Sequence, residues 1–153
     1  LGLSVERNIM LGNYPEYSDR YGNVDSKRCQ KTSEEQVKAL RIKTPHLEQA
    51  ALNLSGGNQQ KIIIARWVCK DTDILIFDEP TRGIDVGAKL EIYELMNRLV
   101  AKGKSIIMIS SELPEVLGMC DRILVMRNGR ITGELASDDA TQEKIMQYAT
   151  LED

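Results

Sequence analysis

A single histidine and three widely spaced cysteines leave this 153-residue chain without the paired His/Cys spacing of a zinc site or the even set of a disulfide framework. Cys29, Cys69 and Cys120 are therefore expected to be reduced and structural, with Cys29 the most exposed. No apolar run is long enough to span a bilayer, and the first residues, Leu1 to Glu6, carry neither the basic nor the apolar region of a secretion signal. Any link to a membrane is expected to run through a partner. The net charge of −3 gives no basic footprint for nucleic acid. Repeats and low-complexity segments are absent as well. What remains is a chain 42% hydrophobic and 28% charged, which suits one soluble globular domain with a sizeable core.

Leu54-Ser55-Gly56-Gly57-Asn58-Gln59-Gln60-Lys61 runs into the apolar stretch Ile62 to Cys69 and reads as a tight loop feeding a helix that is apolar all round. Gly56 and Gly57 permit close approach to the main chain, Ser55 adds a hydroxyl, and the first unpaired N–H groups of the helix with its dipole suit a phosphate. Taken alone, the stretch fits an ordinary turn before a core helix equally well. The next motif shifts the balance. Ile74-Leu75-Ile76-Phe77 suits a strand buried on both faces of a parallel sheet, and it ends in Asp78-Glu79-Pro80. Ligands collect at the carboxyl ends of such strands, so these acids are placed for a metal and a water.

The remaining elements follow from local chemistry. Ser4 can cap a short helix over Val5 to Leu11, and Gly12 to Gly22 should be loop. Ser33-Glu34-Glu35-Gln36 fits a capping box, which predicts a helix from Glu34 to about Ile42, stopped by Thr44-Pro45. Asp85 can cap a long helix carrying Ile92, Leu95, Met96, Leu99 and Val100 at helical spacing, with Gly103 as a left-handed stop. Ser105 to Ile109 reads as a second buried strand, with Ser110-Ser111-Glu112 at its end. Ile123 to Met126 turns through Asn128-Gly129 into Ile131 to Leu135, and a last helix should cover Thr141 to about Ala149.

In their order, Leu54 to Gln60, Ile74 to Glu79, Gly83-Ile84-Asp85 and Asp121 to Ile131 resemble the signature motif, Walker B strand, D-loop and closing hairpin of ATP-binding-cassette (ABC) ATPases. Asp78 to Lys89 and Ser110-Ser111-Glu112-Leu113-Pro114-Glu115-Val116 narrow the resemblance. The chain is similar to the carboxyl-terminal cassette of the fused two-cassette ATPases that drive bacterial importers of simple sugars of the ribose, galactose and xylose type. The resemblance implies an α/β fold: part of a P-loop NTPase core with a mostly parallel sheet, plus an α-helical subdomain. It implies the division 1–54 helical subdomain, 55–136 signature helix and catalytic core, and 137–153 C-terminal helix.

A P-loop itself is not found. Gly103-Lys104-Ser105 is the one candidate, but Arg98 stands where the first glycine belongs, and the tripeptide enters a strand rather than opening a helix. The chain is thus expected to be a fragment of a cassette, beginning after the P-loop and the glutamine loop. Alone it should bind ATP weakly, hydrolyse none, and leave the inner faces of Ile74 to Phe77 and Ile106 to Ile109 open to self-association.

The resemblance also implies roles. ATP and Mg²⁺ are the cofactors. Asp78 would hold the metal through water and Glu79 would polarise the attacking water. Ser55 and the amides at Gly56 and Gly57 would bind the γ-phosphate of ATP held by a facing cassette, either the amino-terminal cassette of the same chain or a second copy; Leu54 and Gln59 would belong to the same nucleotide-binding set, and Asp85 would link the two sites. Ser111 stands where the family usually carries a histidine, so hydrolysis at this cassette's own site is expected to be slow. His46 is given no role. The other partners implied are a transmembrane permease and, indirectly, an extracytoplasmic sugar-binding protein, with the ATPase on the cytoplasmic face of the bacterial inner membrane. The alternatives are a non-hydrolytic regulatory cassette half and a non-transport ABC ATPase, the latter disfavoured by the lack of sustained heptads.

Overall fold

The computed structural model describes residues 1–150. Two compact units are present: one comprises Leu1–Leu75 with Pro80–Ile107, the other Ile76–Glu79 with the chain from Met108 onward.

The first unit is mainly helical. Helix α1 (Val5–Met10) starts at Ser4, whose Oγ accepts from the N–H of Arg7 at 3.2 Å. A 3₁₀ turn over Tyr14–Tyr17 interrupts the expected loop. Helix α2 covers Ser26–Ala39, eight residues earlier than the capping-box reading of Ser33 predicts. Asp25 is the cap that wins, its Oδ1 accepting from the N–H of Arg28 at 3.0 Å. Ser33 instead lies buried inside the helix. The shift also overturns the exposure expected of Cys29, which falls on the inner face of α2 at 1% exposure.

Helix α3 (Gly56–Val68) is the spine of this unit. Ile62, Ile64 and Ala65 are buried, each large side chain contributing about 1.5–3 kcal/mol by burial, whereas Trp67 is 51% exposed, so the helix is not apolar on every side. Arg66 ties it to α1: its Nε donates to the carbonyl of Asn8 at 2.8 Å, and Asn13 Nδ2 donates back to the carbonyl of Arg66 at 2.9 Å. Helix α4 (Val86–Ala101) is capped by Asp85, whose Oδ1 accepts from the N–H of Ala88 at 2.9 Å. Gly103, at φ 85°, ends it as expected, with its N–H donating to Val100 and the N–H of Lys104 reaching Leu99. A Cβ on Gly57 would lie 2.5 Å from Cβ of Ala88, so α3 and α4 approach too closely for any side chain there.

Strands β1 (Ile74–Asp78) and β2 (Ser105–Ile109) pair. The N–H of Ser105 donates to Asp73 at one end and the N–H of Glu79 to Ile109 at the other, so the two run parallel. Leu75 and Phe77 are buried, but Ile74 is 60% and Ile76 67% exposed, so β1 is covered on one face rather than two. Ile107 and Ile109 are half exposed in the same alternating way. This matches the open apolar faces the sequence leads one to expect.

In the second unit, β3 (Arg122–Arg127) and β4 (Arg130–Ala136) form a separate antiparallel hairpin through Asn128 and Gly129, both at positive φ as a type I′ turn requires. Helix α6 (Gln142–Thr150) lies on it, Ile145 packing with Ile123 and Val125 and Tyr148 seated over Gly133. Helix α5 (Leu113–Met119), with a proline in its first turn, is an element the hydrophobic pattern did not announce. Among the described residues, no helix is long and apolar enough to cross a membrane.

Candidate functional site

Two groups of the residues singled out by sequence are each gathered by one unit. In the first unit, the start of α3 and the start of α4 line a cleft of about 210 Å³ with Ser55, Gly57, Asp85 and Gly87 on its walls, joined by Lys43, Asn58 and Glu91. The side chain of Ser55 makes no capping bond to the first turn of α3. Its Oγ accepts from Asn58 Nδ2 at 2.9 Å instead, which leaves the leading amides of α3 to an outside acceptor. That arrangement fits an anionic phosphate oxygen. A Cβ on Gly56 would meet Ile84 Cγ2 and the carbonyl oxygen of Gly83 at ordinary contact distances, whereas Gly57 is required by the packing on Ala88. Gln59 turns back on the preceding loop, its Nε2 donating to the carbonyls of Leu54 at 2.8 Å and Leu52 at 3.1 Å, and the N–H of Leu54 is taken up by Ala51.

A polar network supports this cleft from beneath. Lys61 is 2% exposed, yet charged by nature, and its Nζ donates to Glu91 on α4 and to the carbonyl of Arg41 at 3.2 Å. The hydrogen bond from Lys61, helped by the charges of Lys61 and Lys43, holds the Glu91 carboxyl below the ordinary glutamate value. Asn58, Lys61 and Glu91 are residues that sequence reasoning passed over. The lone lysine entering an apolar helix was the available signal, since such an ammonium is buried only when paired.

In the second unit, β1 delivers Asp78 and Glu79 at its carboxyl end. Glu79 takes a left-handed backbone at φ 46°, an uncommon conformation for a residue with a side chain and one that concentrates at functional positions. Two bonds hold it there: its N–H donates to the carbonyl of Ile109, and its Oε1 accepts from the N–H of Ser111 at 3.0 Å. Ser111 thus reaches Glu79 with its main chain. The neighbouring Ser110 Oγ donates to the buried Glu115 and accepts from the N–H of Glu112 at 3.1 Å. Among the described residues no three His, Cys, Asp or Glu side chains cluster as a cation cage. One strand-end carboxylate fits a Mg²⁺ ion, which keeps several waters and needs only one or two protein carboxylates beside substrate phosphates.

Comparison with known proteins identifies the family. A family model described as ABC transporter matches residues 2–82. The chain belongs to the ABC transporter family. A ribose import ATP-binding protein of Clostridium perfringens is 57% identical over 149 residues, which are 97% of this chain and 30% of that protein. The chain therefore spans about a third of the length of the curated relatives it matches. Among solved structures, an ATP-binding cassette of an ABC transporter superposes with a TM-score of 0.75 at 23% identity, over 95% of this chain and 58% of the other. A dimeric ATP-binding cassette in a post-hydrolysis state with ADP and Pi gives 0.74 at 21% identity, over 88% of this chain and 57% of the other. At these identities the structures speak for the fold, which is that of an ABC ATPase cassette.

Proposed function

We propose that this chain is the signature and Walker B portion of the ATP-hydrolysing subunit of a bacterial ABC importer for a simple sugar, in the carboxyl-terminal cassette. The observation that carries the reading is the cleft where Ser55, the uncapped amides of α3 and Asp85 converge. Strong similarity to a ribose import protein supports the sugar class, and the similarity to a dimeric cassette supports a facing partner.

In this reading Ser55 and the amides at Gly56 and Gly57 hold the γ-phosphate of ATP bound to a facing cassette, while Asp85, fixed as the cap of α4, passes the state of that site to this cassette. Asp78 would hold a Mg²⁺ ion at the cassette's own site, and the carboxylate of Glu79 would orient the attacking water and take its proton. A metal held there would supply charge neutralisation of the phosphates. The left-handed backbone of Glu79 and the bond from Ser111 fix the direction of its carboxylate, which is the positioning that phosphoryl transfer asks of the protein. The subunit would sit on the cytoplasmic face of the inner membrane against a permease, with an extracytoplasmic sugar-binding protein beyond it.

A second reading is a cassette half that binds and transmits closure without hydrolysis. It is favoured by one feature: Ser111 offers Glu79 a backbone amide and no cationic side chain. Steady-state ATP turnover of the full-length protein decides between them. If Glu79→Gln leaves most of the turnover while the matching change in the amino-terminal cassette removes it, the second reading holds; comparable losses establish hydrolysis at both sites.

A further inference from the structure

Asn58 ties the mouth of α3 to the chain that follows α2. Its Oδ1 accepts from the backbone N–H of Lys43 at 2.8 Å, and its Nδ2 donates to Ser55 Oγ at 2.9 Å. A backbone N–H can only donate, so Lys43 dictates which end of the amide is oxygen, and the nitrogen must face Ser55. The serine oxygen is thereby occupied as an acceptor. Its own O–H proton is left to point elsewhere, and the side chain gives no capping bond to α3 that would compete.

The anchor behind Asn58 is fixed from two sides. Arg41 closes α2 in a left-handed conformation at φ 51°, with its N–H donating to Lys38 and the N–H of Ile42 reaching Val37. The carbonyl of the same Arg41 accepts from buried Lys61, which Glu91 pairs from α4. Lys43 therefore presents its N–H from a segment anchored at Arg41 and Ile42 immediately before it.

We propose that Asn58 is a positioning residue for Ser55: by donating to the serine oxygen it fixes that hydroxyl as an outward hydrogen-bond donor, the polarity an anionic phosphate oxygen requires. The inference rests on the reading of Ser55 given above. Asparagine suits the task because one end of its amide satisfies a backbone donor while the other supplies a donor. A carboxylate of the same shape would keep the bond to Lys43 but accept the serine proton and turn it inward.

The test uses the full-length protein. Asn58→Asp should lower kcat for ATP hydrolysis about tenfold or more, the worth of a hydrogen bond to a charged group. In a Ser55→Ala background the same change should cost less than about twofold, because the hydroxyl through which it acts is gone. In the nucleotide-free protein, hydrogen exchange at the Lys43 amide should speed up at least about fivefold in Asn58→Ala and stay near wild type in Asn58→Asp. Wild-type turnover in Ser55→Ala would overturn the reading of Ser55 and this proposal with it. A loss in Ser55→Ala with none in Asn58→Asp, or an equal loss from Asn58→Asp in both backgrounds, would overturn the proposal alone. So would Lys43 exchange that Asn58→Ala leaves unchanged.

Discussion

The carboxylate of Glu79 accepts the backbone N–H of Ser111 at 3.0 Å, so the residue at the end of β1 is oriented by the loop that leaves β2. The serine side chain takes no part in that bond. In a full-length protein whose amino-terminal cassette is silenced at its own glutamate, so that only this cassette's site turns over, Ser111→Ala should therefore retain at least about half of the ATP turnover, whereas Ser111→Pro, which removes the N–H, should lower it by roughly tenfold. Steady-state phosphate release measures both. A loss in Ser111→Ala as large as that in Ser111→Pro would place the hydroxyl itself in the reaction.

Gly57 is held by packing. A methyl group there would meet Ala88 at 2.5 Å and force α3 and α4 apart, whereas at Gly56 the added carbon would lie 3.4 Å from the end of the Ile84 side chain. Gly57→Ala should cost about 1–3 kcal/mol and Gly56→Ala under about 1 kcal/mol. Thermal unfolding of the full-length protein compares them, and equal melting shifts would remove the packing explanation.

The Lys61 and Glu91 pair should be visible in the acid limb of stability. Glu91 has a depressed carboxyl in the folded state, mainly through the hydrogen bond from Lys61, so its contribution is present above the unfolded value near 4.5 and is lost as pH falls through the folded one. Glu91→Gln should destabilise the protein at neutral pH and flatten its loss of stability below that value. Urea midpoints measured across the range report this; parallel acid limbs for the two proteins would show that the pair contributes nothing.

Burial pushes the Cys69 thiol up to about 11. At pH 8 roughly one thiol in a thousand is then ionised, against about a quarter for an unperturbed cysteine. Cys29 is shielded by burial and Cys120 is likewise raised by it. All three should resist iodoacetamide in the native protein and react together on unfolding, which mass spectrometry follows. Fast native alkylation at Cys69 would contradict its placement.

Much of the site was legible in the sequence because each signal is local. Asp85 as a cap, Gly103 as a left-handed stop and Asn128-Gly129 as a hairpin turn depend on residues within a few positions, and all three take those roles. Ser33 shows the limit. Its capping-box spacing was real, but Asp25 begins the helix eight residues earlier, and a continuous helix from there leaves Ser33 no amide to cap. The support of the cleft was hidden for another reason: Asn58 meets Lys43 across fifteen positions and Lys61 meets Glu91 across thirty, and no local pattern encodes such pairs.

The central claim is that Ser55 and the start of α3 complete a nucleotide site belonging to a facing cassette. Vanadate trapping of labelled nucleotide in the full-length protein with its permease, followed by separation of the two cassettes, shows which one holds the label. With Ser55→Arg, the account predicts that the facing cassette loses its trapped nucleotide while the cassette containing Ser55 keeps its own. Loss confined to the cassette that carries the substitution, or no loss at all, would contradict it.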